Sequence, residues 1–230
     1  MNDDSIKRRG IRSFVQRQGR ITPSQQRALD ELLPRHGLEY RADTFDIAAI
    51  FGREAPLWLE VGFGNGDSLA QIATAQPQID FIGVEVHRPG VGKLLNSIEQ
   101  RGLGNLRVVC HDAVEVLRDC LPDAALDRLL LFFPDPWHKK RHHKRRIVNA
   151  QFAELLRHKL AVGGVWHLAT DWQEYAEWML AHLDAAPGFE NCAGRGQCSE
   201  RPEYRPLTRF EQRGMRLGHG VWDLLYRRCD

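Results

Sequence analysis

No apolar run in this 230-residue chain approaches the ~20 residues that a membrane-spanning helix requires, and its first residues are polar and charged rather than signal-peptide-like. Both absences predict a soluble, unexported protein with the cytoplasm as its compartment. The five cysteines (Cys110, Cys120, Cys192, Cys198, Cys229) form no C-x-x-C pair and are odd in number, which argues against a disulfide framework and fits reducing surroundings. No G-x-x-x-x-G-K-[ST] loop occurs, which counts against ATP or GTP hydrolysis, and there is no internal repeat. Charge of one sign is also lacking. The formal net charge is +2, so affinity for a polyanion must rest on where the cations lie. At 26.4 kDa the chain has room for one sizeable core, predicting a mobile basic arm over residues 1–20 and a single domain over 21–230.

The cations are clustered. Lys7, Arg8, Arg9, Arg12, Arg17 and Arg20 lie in the arm, and Arg201, Arg205, Arg209, Arg213 and Arg216 lie near the end of the chain. Between them, the run from Lys139 to Arg146 holds six Lys/Arg and two His, a density that repels itself unless a polyanion lies against it. This run follows Leu130 to Phe133, which reads as a buried strand, and the Pro134-Asp135-Pro136-Trp137 turn. The two prolines fix two φ angles and remove two backbone donors, so the Asp135 carboxylate is aimed rather than flexible.

Thr22-Pro23-Ser24 predicts a helix start, with Leu29, Leu32 and Leu33 on one face. From residue 57, apolar runs at 57–61, 80–86, 106–110, 128–133 and 164–170 alternate with helix-like stretches near 66–75, 89–102, 113–120, 147–161 and 172–184. Such alternation predicts an α/β fold with a doubly wound, mostly parallel sheet and helices on both faces. Gly163-Gly164 is expected to stop the fourth of these helices, and a helix near 207–218 and a final strand at 221–227 close the chain.

Ligands of open α/β sheets bind beyond the carboxyl ends of the strands, where four acids stand in this chain. Glu60 ends a strand that feeds the Gly62-x-Gly64-x-Gly66 turn, whose missing side chains let a ligand approach the backbone. Glu85 follows twenty-five positions later and suits a pair of ribose hydroxyls, Asp112 suits an adenine amino group, and Asp135 closes the row. Each acid alone is equally well a solvated strand-end cap; four at successive strand ends are not. Asp67, three positions after Gly64, argues against a pyrophosphate at the following helix and so against NAD. An acidic pocket with a glycine turn suits S-adenosyl-L-methionine, which carries adenine, ribose, an amino acid and a positive sulfonium but no phosphate.

With these motifs and the late Ala169-Thr170-Asp171-Trp172 and Thr208-Arg209-Phe210-Glu211 segments, the chain closely resembles the bacterial tRNA (guanine-N7)-methyltransferase family. The resemblance runs from the glycine loop to the final strand and covers the N-terminal arm only loosely. It implies a class I, Rossmann-like methyltransferase fold that uses S-adenosyl-L-methionine to methylate a guanosine at position 46, in the variable loop of tRNA. By the same resemblance Glu60, Glu85, Asp112 and Asp135 line the cofactor site, with Gly62, Gly64 and Gly66 as its glycine turn. The resemblance further implies that Asp135 is the catalytic residue. Lys139, Asp171, Thr208, Arg209, Phe210 and Glu211 contact the substrate, and Arg141, His142, His143, Lys144, Arg145 and Arg146 lie along the RNA. No obligate protein partner is implied, and monomer and homodimer stay open.

Other roles compete at several of these positions. Asp171 equally suits a helix cap, Thr208 to Glu211 has capping-box spacing, and Trp137, Phe132 and Phe133 suit either core packing or stacking on an extruded base. His138 and His142 stand four apart, but neighbouring cations and the lack of nearby acids or cysteines predict no metal. Two readings from other classes stay open: a non-catalytic RNA-binding module, disfavoured by the intact acidic pocket, and a nicotinamide-dependent oxidoreductase, disfavoured by Asp67.

Overall fold

The computed structural model describes residues 13–14, 19–208, 211 and 220–230. Arg209, Phe210, the expected helix near 207–218 beyond Glu211, and most of the arm lie outside the described residues. Helix α1 (Pro23–Glu31) starts as its sequence dictates: Pro23 occupies the first turn, and Thr22 and Gln25 close a reciprocal capping box. The short helices α2 (Leu33–His36) and α3 (Ile47–Phe51) follow, both too brief to leave a clear apolar period.

The alternation begins with β1 (Leu57–Val61), α4 (Asp67–Ala75), β2 (Asp80–Val84), α5 (Arg88–Arg101), β3 (Leu106–Val109) and α6 (Ala113–Asp119). It continues through β4 (Leu126–Phe132), a 3-10 helix (Lys140–Arg145), α7 (Ala150–Lys159), β5 (Leu160–Thr170) and α8 (Gln173–Leu183), and ends with β6 (Phe189–Asn191) and β7 (Trp222–Arg228). The strands form one seven-stranded sheet in the order β3-β2-β1-β4-β5-β7-β6. All pairs are parallel except those of β7, which runs antiparallel to both β5 and β6. The expected α/β sheet with mainly parallel strands is therefore present.

Side chains alternate across β1. Leu57, Leu59 and Val61 join α6, α7 and α8 in one apolar layer, while Trp58 and Phe81 join α1, α4 and α5 in the other. The chain winds outward from β1 to β3, then returns to place β4 on the opposite side of β1. The two strands that meet at this reversal open a crevice above their carboxyl ends.

One boundary differs from its expectation. Gly163-Gly164 does not end α7, which stops at Lys159; the pair lies inside β5, where pairing with β4 shifts register between Leu126 and Arg128. Gly163 has φ +84°, and a side chain on Gly164 would collide with the Leu126 carbonyl, so the glycines serve a bulge instead of a helix stop.

Candidate functional site

The crevice is a cavity of about 600 Å³. Val61 and Gly62 from the end of β1, Val84 to His87 after β2, His111 to Ala113 after β3 and Leu131 to Asp135 from β4 line it, together with Ser13, Phe14 and Ile147. No Lys or Arg occurs among these described lining residues.

The glycine turn has the conformation its sequence suggests. Gly62, Gly64 and Gly66 have φ of +72°, +59° and +75°, and a Cβ on Gly62 would meet nothing within 4 Å, so its backbone stays open to a ligand. Glu85 holds the turn in place: one carboxylate oxygen accepts the Gly64 N–H at 2.9 Å, and the other accepts the N–H groups of Val86 and His87 at 2.6 and 2.9 Å. Asp112 caps α6 through the Val114 N–H at 3.0 Å while also lining the cavity. Glu60 does not line the cavity. It is buried, one of its oxygens has no partner, and burial first, then the neighbouring Glu85 charge, push its pKa up to about 8. The row of four acids thus holds a largely protonated member at neutral pH.

Asp67 pairs with Lys93 at 2.5 Å, which offsets its charge. The case against a pyrophosphate therefore rests on the lack of cations among the described residues lining the cavity.

Asp135 sits at the cavity's exposed edge. Its turn is bracketed by Phe133 at φ +51° and Trp137 at φ +49°, two bulky residues in the left-handed region, and the carboxylate accepts the Trp137 N–H at 3.1 Å. Trp137 is covered: the Arg145 guanidinium lies 4.4 Å from its ring centre, His142 meets it edge-on, and its indole N–H donates to the Ser13 carbonyl at 3.2 Å. Phe132 packs edge-on to the buried His167.

The basic run divides in two. Lys139, Lys140, Arg141 and Lys144 are exposed on or beside the 3-10 helix. Arg146, expected along the RNA, is buried: it donates twice to Glu174 at 2.8 and 3.0 Å and once to the Pro136 carbonyl at 2.9 Å, between the Tyr175 and Trp178 rings. The aromatic face of α8 and the Glu174 carboxylate draw it inward, a placement that charge density in the sequence does not reveal. Arg205 likewise leaves the third basic cluster. It is buried between Asp223 and Glu211, at 2.7 and 2.6 Å.

Glu211 is correspondingly buried. It closes a reciprocal capping box with Thr208 (3.1 and 2.9 Å), and its carboxylate is engaged by these protein groups and by Arg205. Asp171 makes no cap; the residue at the start of α8 is Trp172, whose N–H donates to the Thr170 hydroxyl at 3.2 Å. Among the described residues no cluster of His, Cys, Asp and Glu could hold a metal, and no helix is long and apolar enough to cross a membrane.

Several lining residues escaped sequence reasoning. His111 stands beside Asp112 at a strand end and stacks on Tyr40 at 3.9 Å, a position the strand-end rule could have flagged. Ser13, Phe14 and Ile147 carry no such signal.

A seven-stranded sheet of this order, with a glycine turn and acids around the crevice, is the architecture of Rossmann-like methyltransferases. Solved structures sharing the fold include the 16S rRNA methyltransferase KamB (TM-score 0.58, 16% identity, 82% of this chain and 95% of that one). Another is a mutant 16S rRNA (adenine(1408)-N(1))-methyltransferase with cosubstrate SAM from Catenulisporales acidiphilia (TM-score 0.53, 16% identity, 80% and 90%). Residues 54–224 match a family model described as a putative methyltransferase. The tRNA (guanine-N(7)-)-methyltransferase of Pseudomonas aeruginosa (strain UCBPP-PA14) is 60% identical, over all of this chain and 94% of its own. That of Aeromonas hydrophila subsp. hydrophila is 56% identical, over all of this chain and 97% of its own. The chain belongs to the tRNA (guanine-N7)-methyltransferase family of enzymes.

Proposed function

We propose that the enzyme transfers a methyl group from S-adenosyl-L-methionine to N7 of a guanosine in the variable loop of tRNA. The observation that carries this reading is the presentation of Asp135, by a turn strained at both ends, on the edge of a cavity with no Lys or Arg among its described lining residues. S-adenosyl-L-methionine supplies, when bound, an electrophilic methyl group on a positively charged sulfur. The residues fit it: the Gly62 backbone is open, Glu85 and Asp112 stand at successive strand ends for ribose and adenine, and no cation is placed for a phosphate among the described lining residues.

Guanine N7 carries an in-plane lone pair and no proton, so the protein needs no strong base before methyl transfer. What it must supply is alignment and a counter-charge for the positive charge that grows on the imidazole ring. The Asp135 carboxylate serves both by accepting from the N1–H and amino edge of the guanine. Lys139 and Asp171, beyond the ends of two neighbouring strands, contact the nucleotide, and the exposed cations of the 3-10 helix hold its phosphates. Thr208 contributes from the capped turn that Glu211 closes. The test is incubation of an unmodified tRNA transcript with methyl-labelled S-adenosyl-L-methionine, followed by nucleoside analysis. Label is expected in 7-methylguanosine; label in any other nucleoside overturns the assignment.

A further inference from the structure

Trp172 is 42% exposed, one of three large apolar side chains so placed among the described residues. Its position is not arbitrary. Phe132 of β4 pairs with Ala169 of β5, and both chains leave the sheet at the same end, so three further residues bring one strand to Asp135 and the other to Trp172. The Phe133 N–H still donates to the Ala169 carbonyl at 2.8 Å, which keeps the two exits side by side.

The indole is also held. The His138 ring meets it edge-on at 4.2 Å and 72°, and Glu174 stands beside it. Glu174 in turn is gripped by the buried Arg146. The last cation of the basic run thus fixes the acid next to this ring, while exposed Lys139 adjoins the ring's edge-on partner, His138. Trp137 is less open: Arg145 lies over its ring, His142 meets it in a T-shaped contact, and its N–H donates to the Ser13 carbonyl.

We propose that Trp172 is a stacking platform for a nucleobase of the RNA substrate, held edge-on by His138 next to the Arg146-Glu174 pair. This rests on the proposed RNA methylation. A planar ring held upright costs little to order, every base offers a π face, and flanking cations hold the phosphates that bring the base there.

The test measures the affinity of the full-length enzyme for the tRNA transcript across a range of salt, alongside formation of 7-methylguanosine. W172A is expected to weaken RNA binding roughly tenfold, W172F to restore it to within about threefold, and the slope of log affinity against log[salt] to stay as in wild type. A folding defect would instead lower the melting temperature and weaken S-adenosyl-L-methionine binding, both of which should be unchanged. Wild type that forms 7-methylguanosine while W172A binds RNA as tightly overturns the stacking role alone. Wild type that forms none overturns the substrate reading, and the stacking role with it.

Discussion

Asp135 shows how much of a residue's role is set by its backbone. Two prolines and two left-handed residues leave its carboxylate one main local partner, the Trp137 N–H, and the cavity edge on its other side. Asp135→Asn keeps the size of the side chain and removes the charge that offsets the developing cation. Turnover is expected to fall on the order of 100-fold while S-adenosyl-L-methionine affinity changes less than about threefold. Single-turnover kinetics and ligand titration check this, and unchanged turnover would remove Asp135 from catalysis. The same residue marks how far the sequence could be read. Its flanking prolines announced a fixed acid, but nothing in the chain announced that Trp137 would be covered by Arg145 while Trp172 stays open, since ring exposure depends on packing between distant segments.

At the scale of the element, the basic run is a 3-10 helix with an anchor. Its exposed cations, Lys140, Arg141 and Lys144, face solvent where phosphates can reach them, whereas Arg146 is occupied by Glu174, Pro136 and two aromatic rings. Replacing Lys140, Arg141 and Lys144 together by Ala should reduce the salt dependence of tRNA binding by about 2 in slope, at ~0.7 per lost phosphate contact. Arg146→Ala should leave that slope alone and destabilise the fold instead, by roughly 3 kcal/mol, because it empties a buried, hydrogen-bonded site. Salt titration of binding and denaturant melts separate the two; a slope that is altered by Arg146→Ala and untouched by the triple variant would reverse the assignment. Strand and helix boundaries were mostly legible at this scale because apolar runs and helical spacing are local. The Gly163-Gly164 bulge was not, since a glycine pair reads alike as a helix stop and as a bulge until the partner strand is known.

For the whole molecule, the buried Glu60 couples stability to pH. Its folded pKa of about 8 lies above the ordinary carboxyl value of 4.5, so the native state holds a proton that the unfolded chain has released. This contribution is full below about pH 4.5 and is lost as pH rises through about 8. The buried His167, whose pKa is lowered by burial despite its bond to Asp223, acts in the opposite sense, favouring the fold above its unfolded value near 6.5. Glu60→Gln isolates the first effect: its stability relative to wild type should rise with pH between about 5 and 8, by roughly 1.4 kcal/mol per unit, and level off beyond. Melting both proteins across that range checks it, and a constant difference would mean that Glu60 is ionised in the fold.

The order of strands and helices from β1 to α8, the glycine turn, the strand-end acids and the proline-framed Asp135 are determined by the sequence itself. Each depends on spacing and backbone preference within a few residues. Only the tertiary structure decided that Glu60 is buried and protonated, that Arg146 and Arg205 are internal, that Glu211 closes a cap, and that Trp172 stands open beside the Asp135 turn. Burial and pairing are properties of segments that meet in space, and charge or aromaticity reads the same in the chain whether a neighbour or solvent lies against it.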